Sequence, residues 1–256
     1  MKRLKKLVVG NWKMNPVGLA EAKKIGADVK KGLRGLKKTE VVLCPPFVYL
    51  PVLASAVGGV VSATLMLGAQ DASPETSGAY TGEVGYAQLP DFKVSMVIIG
   101  HSERRARGET DEMVNKKVRA VVGEGMTAIV CVGEAKRDHN GDYLAFIRGQ
   151  LLSALKDVSR KSLDHVVVAY EPVWAIGAKY AMTPRDVHET AIFIRKILSD
   201  AYGALADGVR ILYGGSVDVV NAAEIVREGN VSGLLVGRES LKPKNFVQIV
   251  KDIEAI

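Results

Sequence analysis

The sequence predicts a single-domain α/β protein folded as a (β/α)8 barrel. Three observations predict it. Eight short apolar runs are spread along the chain, longer amphipathic stretches separate them, and 256 residues pass without a Pro/Gly/Ser-rich linker or a shift in composition. Barrels of this kind routinely reach ~250 residues as one domain, so residues 1–256 are read as one unit.

The runs are Leu7–Gly10, Val41–Cys44, Leu65–Ala69, Met96–Gly100, Thr127–Val132, Val166–Tyr170, Arg210–Tyr213 and Gly233–Val236. They are rich in β-branched residues and do not alternate with polar ones, as expected of parallel strands buried on both faces. Between them, apolar residues recur at three- and four-residue spacing. Leu19, Ala22, Ile25, Val29, Leu33 and Leu36 mark one helix, and Tyr143, Ile147, Leu151, Leu155 and Val158 another. Val187, Ala191, Ile194 and Leu198 mark a third, opened by Thr183 as cap and Pro184 as first helical residue. Phe246, Ile249, Val250 and Ile253 mark the last. A doubly wound open sheet is the competing arrangement, but Gly10-Asn11-Trp12-Lys13 after the first run is no dinucleotide-binding loop.

Composition narrows the function classes. At 48% apolar, 25% charged and 6% aromatic residues, the chain is an ordinary globular one. Its charge of +7 favours anionic partners. The Lys and Arg residues are not interleaved with aromatics, so they read as solvated helix faces with a local anion site rather than a nucleic-acid footprint. No apolar run is long enough to span a membrane. Cys44 and Cys131 lie far apart, which fits a reducing, cytoplasmic setting. Both read as structural, and no His, Cys, Asp or Glu cluster has metal-ligand spacing.

Sites on such barrels lie at the C-terminal ends of the strands. There the sequence places Asn11 and Lys13 after the first strand, His101, Ser102, Glu103 and Arg104 after the fourth, and Glu171 directly on the end of the sixth. Singly, each is an unremarkable loop residue. Together they suit proton abstraction beside a carbonyl: Glu171 as base with its carboxylate kept from water, His101 polarising the carbonyl oxygen, and Lys13 offsetting the charge of an enediolate. Ser102-Glu103-Arg104 suggests a short helix starting past His101, and a helix N-terminus favours a neutral imidazole. Tyr213-Gly214-Gly215-Ser216 and Val236-Gly237-Arg238-Glu239-Ser240 are either two tight turns or a phosphate cradle. Pro172 through Met182 (Pro172, Val173, Trp174, Ala175, Ile176, Gly177, Ala178, Lys179, Tyr180, Ala181, Met182) is either a lid or a crossover packed on the rim. The long polar segment Gly68–Glu83 is a candidate subunit contact.

These residues carry a resemblance to the triosephosphate isomerase family over nearly the whole length. Its motifs are Gly10-Asn11-Trp12-Lys13-Met14-Asn15, Gly100-His101-Ser102-Glu103-Arg104-Arg105, Ala169-Tyr170-Glu171-Pro172-Val173-Trp174-Ala175-Ile176-Gly177 and Tyr213-Gly214-Gly215-Ser216-Val217. Gly78-Ala79-Tyr80-Thr81-Gly82-Glu83 and Cys131-Val132-Gly133-Glu134 add to it. The resemblance implies cofactor- and metal-independent interconversion of dihydroxyacetone phosphate and D-glyceraldehyde 3-phosphate, in cytoplasmic glycolysis and gluconeogenesis. Glu171 is then the base, His101 the electrophile, Lys13 and Asn11 electrostatic supports, with Glu103 and Ser102 behind them. Gly177, Ser216, Gly237 and Arg238 take the phosphate. A homodimer is implied, contacting through Thr81, Gln70 and Asp71. Another phosphosugar enzyme or a non-catalytic binding barrel are the alternatives.

Three positions depart from the family pattern. The lid's second half is Ala178-Lys179-Tyr180-Ala181-Met182, the eighth-strand turn carries Arg238 where a second glycine is usual, and Asp71 stands where asparagine is usual. If Arg238 needs a positive φ it costs about 1 kcal/mol. Lys179 and Arg238 would both bring a cation to the phosphate, and Asp71 would make the subunit contact weaker or pH-sensitive.

Overall fold

The computed structural model describes residues 4–57, 65–138, 140–177 and 182–256. Eight parallel strands close into a barrel in sequence order. They are β1 Lys6–Asn11, β2 Thr39–Cys44, β3 Leu65–Ala69, β4 Val94–Ile99, β5 Thr127–Val132, β6 Val166–Tyr170, β7 Arg210–Tyr213 and β8 Gly233–Val236. The last strand returns to the first, Leu7 pairing with Gly233 and Gly10 with Val236. A Cβ on Gly233 would lie 1.8 Å from the Leu7 carbonyl oxygen, so this seam closes only on a glycine.

The absence of alternation now has its reason. Leu7, Val9, Val42, Cys44, Met96, Ile98, Ile129, Cys131, Val167, Ala169, Leu212 and Leu235 form one buried cluster, which fills the barrel. Their neighbours Val8, Val41, Leu43, Val97, Val130, Val168 and Leu234 belong to the other cluster, shared with the helices outside. Both faces are therefore apolar. Period-two parity also aims the strand ends. Leu7 and Val9 point inward, so Asn11 does, and Val167 and Ala169 point inward, so Glu171 does.

The helices are α1 Leu19–Gly32, α2 Leu50–Val57, α3 Ser102–Arg105, α4 Asp111–Gly123, α5 Asp142–Ala154, α6 Pro184–Tyr202, α7 Ala222–Glu228 and α8 Pro243–Glu254. Thr183 caps α6 as expected, its Oγ accepting the Asp186 N–H at 3.2 Å. Two helices end sooner than the spacing predicts. The pattern through Leu36 outlasts α1, because the chain turns after Gly32 while Leu33 stays buried and Leu36 packs partly against the core. Likewise Leu155 and Val158 are buried from the turn after α5. Between β3 and β4, two 3-10 turns (Tyr86–Gln88 and Pro90–Phe92) take the place of a helix. Residues 75–83 of that connection are exposed, and its neck is tied by Ser73 N–H to Val84 O at 2.8 Å and Tyr86 N–H to Ser73 O at 3.1 Å. Among the described residues no helix is long and apolar enough to cross a membrane.

Candidate active site

A cavity of about 650 Å³ opens at the C-terminal ends of the strands. Asn11, Lys13, His101, Glu171, Gly177, Ser216, Gly237 and Arg238, all singled out from sequence, line it. Glu171 is only 2% exposed, and its carboxylate is held at both oxygens. Oε2 accepts the Ser102 backbone N–H at 3.1 Å, and Oε1 lies 3.2 Å from His101 Nε2. The backbone beneath it is equally constrained: a Cβ on Gly133 would lie 1.9 Å from the Glu171 carbonyl oxygen.

His101 stands at the N-terminus of α3, the short helix the sequence suggested. Its Nδ1 accepts the Glu103 N–H at 3.1 Å. That leaves Nδ1 unprotonated and puts the ring proton of the neutral imidazole on Nε2, facing Glu171. The helix start thus selects a tautomer as well as a position.

Lys13 has φ 53°, in the left-handed region that costs a non-glycine residue roughly 1–2 kcal/mol. Two side chains hold it there. Asn11 Oδ1 accepts the Lys13 N–H at 3.0 Å, and Gln70 Nε2 donates to the Lys13 carbonyl at 2.8 Å and to that of Cys44 at 2.9 Å. Gln70 therefore spends its amide within the protomer, as a clamp across β1, β2 and β3. The Lys13 ammonium reaches Glu103 Oε1 at 2.5 Å. Burial pushes the Glu103 carboxyl up, but the hydrogen bond and charge of Lys13 outweigh it and hold it below the ordinary carboxylate range.

A family model described as Triosephosphate isomerase matches residues 6–253. The chain belongs to the triosephosphate isomerase family. It is 41% identical to the triosephosphate isomerase of Idiomarina loihiensis over 95% of this chain and 96% of that one. It is 41% identical to that of Endomicrobium trichonymphae over 96% and 98%, and 42% identical to that of a Thermoanaerobacter species over 95% and 98%.

For a triosephosphate isomerase the segment after Glu171 is the element to follow. Pro172 leads into a 3-10 turn, Val173–Ala175, with Ala175 buried and Val173 and Trp174 exposed. Residues 178–181, which include the unusual Lys179 and Tyr180, lie outside the described residues. Both described ends are anchored by groups that strand patterning missed. Glu134 Oε1 accepts from Trp174 Nε1 at 2.8 Å and from the Tyr170 hydroxyl at 3.0 Å. At the far end the Met182 N–H donates to the Tyr213 hydroxyl at 3.3 Å. Burial pushes that phenol up to about 12. The available signal was chemical: a tyrosine in a two-sided buried strand needs a partner for its hydroxyl. Trp12, by contrast, is fully buried in the core around the barrel. Burial raises the Cys44 thiol far above its ordinary range, and burial beside the Glu171 carboxylate raises that of Cys131.

The structure places two of the departures. Arg238 opens a 3-10 turn, Arg238–Leu241, and is not among the residues with positive φ, so the left-handed cost does not arise. Asp71 is 5% exposed and turned into the protomer, where Lys117 Nζ lies 2.8 and 2.9 Å from its oxygens and Arg104 Nε 2.7 Å away. Burial raises the Asp71 carboxyl despite these two cations. The folded chain then holds that proton more tightly than the unfolded chain. Stability consequently falls as pH rises from the ordinary carboxylate range to the raised one. Asp71→Asn is expected to flatten that limb of a denaturant-derived stability curve as pH rises above the ordinary carboxylate range. An unchanged slope would count against the assignment.

Proposed function

We propose that this cavity interconverts dihydroxyacetone phosphate and D-glyceraldehyde 3-phosphate, with Glu171 as the base. The observation that carries the reading is the convergence of Glu171, His101 and Lys13 from three strand ends on one cavity, with Glu171 and His101 3.2 Å apart. In the free site His101 Nε2 faces Glu171 Oε1 at 3.2 Å, and substrate comes between them. Its carbonyl oxygen takes the imidazole proton's hydrogen bond, and Glu171 rotates from the Ser102 N–H toward the substrate carbon. The carboxylate removes a proton from the carbon beside the carbonyl, and the electrons move onto the carbonyl oxygen. His101 and the Lys13 ammonium stabilise the resulting enediolate. His101 passes a proton between the two oxygens, and Glu171 returns its proton to the neighbouring carbon. No atom is gained or lost, and no cofactor or metal is called for.

The phosphate is taken by backbone N–H groups of the turns at Gly177, Ser216, Gly237 and Arg238, which line the same cavity. Closure of 172–182 would then exclude water. The direct test is conversion of glyceraldehyde 3-phosphate in D2O. Turnover is expected to place deuterium on the carbon that gained a proton; turnover without solvent exchange of any kind, or none, would sink the assignment.

The same reading takes the chain as a homodimer joined through the β3–β4 connection, with Thr81 at its exposed tip. Support comes from the loops beside it. Met14 is 88% exposed, Val17 98% and Val48 74%, an unusual apolar display on one rim. The Tyr49 hydroxyl draws these loops together, donating to the Pro16 and Val17 carbonyls at 2.8 and 2.9 Å. Sedimentation is expected to give a two-chain species that Thr81→Arg shifts toward one chain with loss of turnover. A fully active single chain would overturn it. The free, buried cysteines are consistent with a reducing compartment such as the cytoplasm.

A further inference from the structure

We infer that the Arg238 side chain captures the substrate's phosphate dianion at the mouth of the cavity. This rests on the phosphate subsite proposed above and assigns it a charge that the backbone cradle lacks.

The argument is one of electrostatic balance at the mouth of the cavity. Backbone N–H groups orient a phosphate but bring no formal charge. Lys13 brings one, yet its ammonium is already paired with Glu103 at 2.5 Å. Arg238 is exposed, lines the cavity and makes no ion pair among the described residues. Two carboxylates that line the same cavity, Glu239 and Asp218, are engaged elsewhere. Glu239 accepts from Lys242 Nζ at 2.7 Å and Asn245 Nδ2 at 2.6 Å, and Asp218 Oδ1 accepts the Val220 and Asn221 N–H groups at 2.8 and 3.0 Å. Arg238 is thus a cation with no compensating carboxylate among the described residues.

Its position fits the task. Arg238 Nη2 lies 3.9 Å from where a Cβ on Gly177 would stand, so the guanidinium borders the turn at Gly177. On the other flank, a Cβ on Gly237 would lie 3.7 Å from Lys13 Cε. The Gly237 turn therefore runs between the Lys13 stem and the Arg238 guanidinium. The planar fork of arginine matches two phosphate oxygens at once. The Glu171 carboxylate is still held on Ser102 in this arrangement, so the cation is in place before the base has moved.

The test uses Arg238→Gln, which keeps bulk without charge, and Arg238→Gly and Arg238→Lys. Glyceraldehyde 3-phosphate is the substrate and inorganic phosphate the competing probe. The Gln and Gly variants are expected to raise KM and the inhibition constant of inorganic phosphate about tenfold, the scale of one charged hydrogen bond. The larger part of the loss should fall on KM rather than kcat, and Lys should recover part of it. The dependence of KM on ionic strength should also flatten, because the screened charge is gone. Unchanged KM and inhibition constant in both neutral variants, or a loss confined to kcat, would overturn the inference. If inorganic phosphate fails to compete even with the unmodified chain, the phosphate subsite itself is wrong and the inference falls with it.

Discussion

Glu171→Gln is expected to lower kcat by about 10²–10⁴-fold, the usual contribution of a positioned general base. The substitution keeps the volume of the side chain, and its carbonyl oxygen can still accept the Ser102 N–H that Glu171 Oε2 now accepts. What it removes is the carboxylate facing His101 Nε2 at 3.2 Å. An amide nitrogen turned that way meets a second donor, and an amide oxygen there has no basicity to offer. KM should change far less than kcat, since the phosphate turns lie across the cavity. A variant retaining a tenth of the activity or more would show that another group removes the proton.

Lys117→Met is expected to destabilise the fold by about 3–5 kcal/mol, the cost of breaking a buried pair from one side. The Lys117 side chain is 4% exposed and contacts both Asp71 and Glu109. Its removal leaves two buried carboxylates sharing Arg104 alone among the described cations of the cluster. Glu109 Oε2 already has no hydrogen-bond partner among the described residues, so nothing stands ready to replace the ammonium. A chain of this size should lose roughly 10 °C in Tm. Adding Asp71→Asn should restore part of the loss, because Arg104 then faces one carboxylate in place of two. A Tm within about 2 °C of the original would mean that the cluster is better solvated than its burial indicates.

How much of this was legible depended on the range of the contacts involved. The strands Leu65–Ala69, Thr127–Val132, Val166–Tyr170, Arg210–Tyr213 and Gly233–Val236 have the bounds that short apolar runs predict, because burial on both faces favours apolar residues at successive positions. Glu171 was legible for a similar reason: it is the next inward position after Ala169, at the end where barrels place their chemistry. Helix ends were less so, since Leu33 and Leu155 stay buried just past the last helical residues, Gly32 and Ala154. Long-range pairings were not legible at all. Nothing local joins Asp71 to Lys117, 46 residues away, or Gln70 to the Lys13 carbonyl, 57 residues away. The place of Asp71 in a polar loop suggested a subunit contact, and only the packing of α4 against β4 and β5 shows where its charge goes. The role of Glu134 was not legible because its partners Tyr170 and Trp174 belong to the next strand and the loop beyond it.

The left-handed bend at Lys13 ties the timing of assembly to the chemistry. Asn11 can hold the Lys13 N–H from its own strand, but Gln70 reaches the Lys13 carbonyl only once β1, β2 and β3 lie side by side. The ammonium therefore cannot be aimed in a half-formed barrel, whatever secondary structure that barrel already holds. The aim of that ammonium is thus a property of three strands held together and not of the loop that carries it.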